Sequence, residues 1–191
     1  MTDAPPSVAL GLRAQKGGAV VVGLGLDKGE PLLLLSTFLA IGEEPYRAAA
    51  ALPQDQAKAV VAEGRRRQDL LAAKGLRTIL ESLRPPLVAA LLVNRAAWIT
   101  DLLSYSREWA EHIPVAENLA LRDALRFACR ENGVELAEWG EKSLPDQAAE
   151  SLGDVEARLA VFGAAAGTPW RKEQKLASLA AWMSLREINA S

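Results

Sequence analysis

Two short breaks, Gln15-Lys16-Gly17-Gly18 and Asp27-Lys28-Gly29, cut the first 37 residues into three strand-like runs, and nothing else in the chain restricts its fold as tightly. Ser7 to Arg13 is largely apolar. Ala19 to Leu26 carries Val20, Val21 and Val22, whose branched side chains suit a pleated sheet better than a helix. Glu30 to Thr37 contains four consecutive leucines. Connections this short join antiparallel neighbours, because a parallel pair needs a long crossover. The three runs therefore predict an antiparallel meander.

The hydrophobic period then changes. Pro45 to Glu63 is alanine-rich and broken at Pro53, with Gly64 as a helix stop. Arg65 to Leu83 reads as the next helix, with Ala72, Leu76, Ile79, Leu80 and Leu83 at helical spacing. Pro85-Pro86 ends it, and Leu87 to Val93 reads as a strand buried on both faces. Asn94 to Pro114 shows a helical pattern only near Ser104 to Glu111. Ala116 to Glu131 places Leu121, Leu125 and Ala128 or Cys129 on one face, and Asn132-Gly133 closes that helix. A short strand over Val134 to Trp139, a helix over Pro145 to Phe162 and a last helix from Pro169 to Glu187 complete the order. Strands separated by helices are most simply parallel, joined by right-handed crossovers. The expected architecture is α/β: one mixed five-stranded sheet, three strands antiparallel and two parallel, flanked by helices in a single domain over residues 1–191.

Composition narrows the function classes. Half of the residues are hydrophobic, which excludes an intrinsically disordered chain. A net charge of −2 provides no whole-molecule attraction to nucleic acid or anionic membrane. The apolar stretch Leu87 to Val93 falls far short of the roughly 20 residues of a membrane span. The start, Met-Thr-Asp-Ala-Pro-Pro, lacks the basic and apolar regions of a signal peptide, so the expectation is a soluble cytoplasmic protein without a membrane partner. One cysteine excludes an intramolecular disulfide and a multi-cysteine zinc site, and one histidine excludes a multi-histidine metal site within one chain. No cofactor is implied.

The element order, with Val8-Ala9-Leu10-Gly11-Leu12-Arg13, the turn at Lys16-Gly17-Gly18 and Ala19-Val20-Val21-Val22, resembles the ribonuclease H-like fold. That fold includes Holliday-junction resolvases and the halves of actin-like ATPases. Gly11-Leu12-Arg13, and Gly167-Thr168-Pro169-Trp170 through Gln174-Lys175, also resemble a group of bacterial proteins of unknown function. The nuclease resemblance implies an aspartate after Gly-hydrophobic in the first strand, where it helps hold a divalent metal. Here that position is Arg13, and a guanidinium repels a cation. A second carboxylate is implied on the fourth strand, yet Leu87 to Val93 has none and ends in Asn94-Arg95. The last helix offers Glu173 amid Arg171, Lys172 and Lys175. Two-metal chemistry needs several carboxylates converging on ions roughly 3.5–4 Å apart, so the expectation leans away from an enzyme.

Cations take the place of those carboxylates. Thr168 suits an N-cap and Pro169 a first helical position, after which Arg171, Lys172 and Lys175 crowd a helix start whose free N–H groups favour an anion. Ligands in open α/β sheets sit beyond the carboxyl ends of parallel strands, where Arg13 and Arg95 fall. An anion-binding surface of Arg13, Lys16, Arg95, Arg171 and Lys175 follows. A second grouping, Trp109, His112, Glu117 and Trp170, would form a pocket if Glu117 and Arg122 flank the segment 94–114. The plainer expectations are a solvated face for Glu117, Arg122, Asp123 and Arg126, and a solvated helix start for Arg65-Arg66-Arg67. Likewise His112 would be a hydrogen-bonded loop residue, and Trp170 and Cys129 packing residues. The reading is a catalytically degenerate protein that binds nucleic acid, another polyanion or a phosphorylated ligand. A metal-dependent nuclease with relocated carboxylates, and a self-associating interaction scaffold, stay open as alternatives.

Overall fold

The computed structural model describes residues 7–83, 87–94, 96 and 98–190. Strands β1 (Val8–Gln15), β2 (Gly18–Asp27) and β3 (Glu30–Ala40) form the expected meander. β1 pairs antiparallel with β2 from Val8↔Gly25 to Gln15↔Gly18, and β2 with β3 from Gly18↔Ala40 to Asp27↔Glu30. The second turn holds Lys28 at φ 51° and Gly29 at φ 84°, the left-handed pair that matches strand twist in a tight hairpin. β4 (Leu87–Val93) lies parallel to β1, and β5 (Glu135–Gly140) parallel to β4. The sheet order is β3-β2-β1-β4-β5.

Helices cover both faces. Between β3 and β4 come α1 (Pro45–Ala49) and α2 (Gln54–Leu80), and between β4 and β5 come α3 (Leu102–Glu108) and α4 (His112–Glu131). After β5 come α5 (Leu144–Leu152), α6 (Val155–Ala166) and α7 (Lys172–Ala190). Leu10, Leu12, Val21 and Leu91 face Leu76 of α2 and Leu121 and Leu125 of α4. On the other face Ala9, Val22 and Leu92 meet Phe162 of α6 and Leu176 and Ala180 of α7. α7 presses so closely on β1 that a Cβ on Gly11 would fall 1.7 Å from the Ala177 carbonyl oxygen. Among the described residues, no helix is long and apolar enough to cross a membrane.

Four local expectations are corrected. Gly64 does not stop a helix: α2 runs through it, and a Cβ there would stand 2.6 Å from Pro45 Cβ. The glycine lets α1 pack against α2, so tertiary contact decides a position that local propensity reads as an end. Pro145 to Phe162 is two helices, because Gly153 takes φ 77° and Asp154 starts the next helix by accepting the Ala157 N–H at 3.1 Å. α4 begins earlier than Ala116, at His112, with Pro114 in its first turn where no N–H is needed. The last helix starts at Lys172 rather than Pro169, and Gln174 Oε1 accepts the Arg171 N–H at 3.0 Å. The expected break at Pro85-Pro86 lies outside the described residues.

Candidate anion-binding cleft

The parallel strands β1, β4 and β5 end side by side, and α4 is tied to that end by Asn118 Nδ2 donating to the Ala14 carbonyl at 3.2 Å. Two adjoining cavities open there. The larger, about 720 Å³, is bounded by α2, α4, Asn94, Ala96 and residues 99–103, with Tyr46, Arg65, Arg122, Asp123 and Arg126 in its wall. The smaller, about 310 Å³, is lined by Arg13, Asn118, Arg122 and Glu141 among others. Asn94 and Arg122 belong to both.

Most of the charge at this end is paired. Arg13 donates to Glu141 Oε1 from Nη2 at 2.7 Å and from Nε at 3.2 Å. Glu141 is held in place by its own N–H, which reaches the Val93 carbonyl at 2.9 Å. Arg65 donates to Asp123 at 2.7 Å, Asp123 also accepts from Arg126 at 2.9 Å, and Arg126 reaches Glu138 at 2.6 Å. The Arg126 guanidinium is thereby held more basic than usual, chiefly by the bond to Glu138. Arg122 is different. It is 4% exposed, no described residue accepts a hydrogen bond from it, and its Nε is buried without a partner. Burial lowers its pKa; Glu141 and Glu138 act against that, Arg126 and Arg13 with it.

The predicted site residues are partly brought together. Arg13 lies in the cleft, Lys16 sits exposed on the turn between β1 and β2, and Arg95 lies outside the described residues. Arg171 and Lys175 are exposed on and before α7, line none of the cavities above, and the Arg171 N–H is already taken by Gln174. Trp109, His112, Glu117 and Trp170 do not surround one cavity. Trp109 is exposed at the end of α3. His112 stacks on Tyr105 with ring centroids 3.9 Å apart, its Nδ1 lying 2.8 Å from the Tyr105 carbonyl oxygen. Trp170 packs over Gly163, its Nε1 buried without a partner. Cys129 is buried, its thiol pushed up to about 12 by burial.

The solvated-face expectation fails for Arg122, Glu117 and Arg65. Arg66 and Arg67 do pair with Glu63 and Glu43 on the surface. Arg65 is instead half-buried against α4, paired with Asp123. The available signal was the stripe Ala116, Ala120, Ala124 and Ala128, small residues that let α4 sink far enough to bury its flanks, with Arg122 and Glu117 among them.

The residues at the end of β1 do not fit a divalent cation. Arg13 stands there, Glu141 is committed to it, and among the described residues no three His, Cys, Asp or Glu side chains gather as a metal ion would require.

No family model and no curated protein matches this chain. Solved structures do. RuvC from Thermus thermophilus in complex with a Holliday junction substrate superposes with a TM-score of 0.54 at 15% identity, over 97% of each chain. A second Thermus thermophilus RuvC structure gives 0.53 at 14% identity, over 96% of this chain and 97% of that one. At that identity the likeness is one of architecture, and it fixes the fold as ribonuclease H-like, of the kind seen in RuvC.

Proposed function

We propose that this chain is a catalytically degenerate nucleic-acid- or polyanion-binding protein, whose cleft at the ends of β1 and β4 seats a backbone phosphate on Arg122. One observation carries the reading: Arg122, 4% exposed in the wall shared by the two cavities, has a buried Nε with no acceptor. Arginine stays charged under all ordinary conditions, and an unmet buried charge is unfavourable unless something ionic meets it. Among the described residues lining the two cavities, five cations, Arg13, Lys58, Arg65, Arg122 and Arg126, face four carboxylates, Asp101, Asp123, Glu138 and Glu141. The surplus is one positive charge, which suits a monoanion such as a phosphodiester group. The fold supports the reading, since RuvC of the same architecture is seen with a junction substrate.

Fluorescence anisotropy with labelled DNA and RNA oligonucleotides across a salt series tests this. Affinity should fall with salt, and Arg122→Met should weaken binding about tenfold or more while lowering the salt slope by about one. No binding to any oligonucleotide, or equal binding by the Met variant, would overturn it. One observation favours a second reading, the interaction scaffold: β3 is an edge strand that exposes Leu32, Leu34 and Phe38. Concentration-dependent self-association abolished by Phe38→Lys would bring that reading forward, and a monomer at every concentration would remove its self-associating form.

A further inference from the structure

A more enclosed cavity of about 270 Å³ lies between the β1–β2 turn, the segment 43–47 and α4. It adjoins the smaller cavity of the cleft, sharing Gln15, Pro114 and Asn118, but contains neither Arg13 nor Arg122. Glu117 lines it and is 6% exposed. Its Oε1 accepts the Arg47 N–H at 2.8 Å and so caps the start of α1, a helix whose own N-cap residue, Glu44, supplies no side-chain bond. Its Oε2 is buried without a partner.

The other acids of this wall are occupied. Glu44 pairs with Arg47 at 3.4 Å and Glu43 with Arg67 at 3.1 Å. What is left is a carboxyl inside and an ammonium at the rim: Lys16 lines the same cavity, is exposed, and makes no ion pair among the described residues. A buried carboxylate oxygen without a donor is unfavourable and takes up a proton unless a cation meets it. An ammonium group supplies the opposite charge and the missing donor together, whereas an anion would meet Glu117 head-on.

We propose that this cavity binds a small zwitterion of the free amino-acid class, its ammonium donating to Glu117 Oε2 and its carboxylate facing Lys16. The volume lies just below the roughly 300–1,000 Å³ of small-molecule sites, which suits a single amino acid rather than a peptide. Leu121 and Pro114 give the side chain an apolar wall. The site uses no residue that carries the anion-cleft reading, so each can fail without the other.

The test is a titration of the isotopically labelled full chain with glycine, alanine, serine and lysine, each beside the amine that lacks its carboxylate, followed by amide chemical shifts. At least one amino acid should give saturable shifts at Lys16, Arg47 and Asn118. Glu117→Gln should weaken that binding about tenfold or more, and Lys16→Ala severalfold. Binding should also be tighter above than below the Glu117 transition, which burial places at about 7. The titratable and charged groups around that carboxyl are Glu43, Glu44, Tyr46 and Arg47 from the α1 side and Lys16 from the turn. Lys16→Ala touches only an exposed turn, so it remains informative if Glu117→Gln does not fold. No saturable shift with any amino acid, or unchanged binding in both variants, would overturn the proposal. So would an amine that binds as tightly as its amino acid.

Discussion

Replacing Arg122 with methionine should make the protein more stable and less able to bind an anion. Methionine keeps much of the aliphatic stem that packs in α4 and removes the charge. A buried donor left unmet, as Arg122 Nε is, costs about 1–3 kcal/mol. Around Arg122, Glu141 and Glu138 attract while Arg126 and Arg13 repel, so the pairwise effects largely offset each other and burial dominates. Arg122→Met is therefore expected to stabilise the free protein by about 1–3 kcal/mol. For a chain of this length each kcal/mol moves the melting temperature by about 2–4 °C, so the shift is about 2–12 °C upward. Calorimetry in a buffer free of phosphate and sulfate reads it directly. A saturating oligonucleotide should then raise the melting temperature of the wild type more than that of the variant, because a ligand stabilises the folded state in proportion to the logarithm of its affinity. A variant less stable than the wild type by about 1 kcal/mol or more would refute the reasoning. Arg122 would then be a paired structural arginine.

Two further outcomes follow from the same geometry. Burial pushes the Glu117 carboxyl up to about 7 in the folded protein, from an ordinary 4.5. The folded protein thus holds this proton more tightly than the unfolded chain, and its contribution falls as pH rises from about 4.5 to about 7, by about 3 kcal/mol in all. Glu117→Gln should flatten that slope and be the more stable protein above neutrality, as read from urea midpoints across pH; a midpoint lowered equally at all pH values would count against the buried acid. Gly11→Ala should destabilise by about 3 kcal/mol or more, because its Cβ would meet the Ala177 carbonyl rather than a side chain able to move. Near-native stability in that variant would mean that α7 does not press on β1 as described.

The strands were legible because their turns were. Gly17 and Gly29 carry positive φ at the positions where the hairpins need it, and valine runs and a doubly buried β4 need no tertiary knowledge to recognise. Glycines that serve contact rather than conformation misled: Gly64 sits inside a continuous helix only because Pro45 occupies the space its side chain would fill. Gly153 misled in the other direction, hidden in an apolar stripe that continues across the break between α5 and α6. Arg13 was legible from its place after Gly-hydrophobic, though its partner Glu141, 128 residues away, was not. Arg122 and Glu117 were hardest to place. Helical periodicity sets charged residues on the solvent face, and what buries these two is the alanine stripe that sinks α4 between α2 and the strand ends. The basic start of α7 was conspicuous in sequence, yet its first free N–H is satisfied by Gln174 within the chain.

Whether Arg122 awaits an anion is read from a crystal structure of the protein soaked in selenate, with selenium located by its anomalous signal. A tetrahedral anion is expected within hydrogen-bond distance of the Arg122 guanidinium, with the Arg13–Glu141 pair intact beside it. Arg122 turned onto Glu138 or Glu141, with no anion in the cleft, would contradict it.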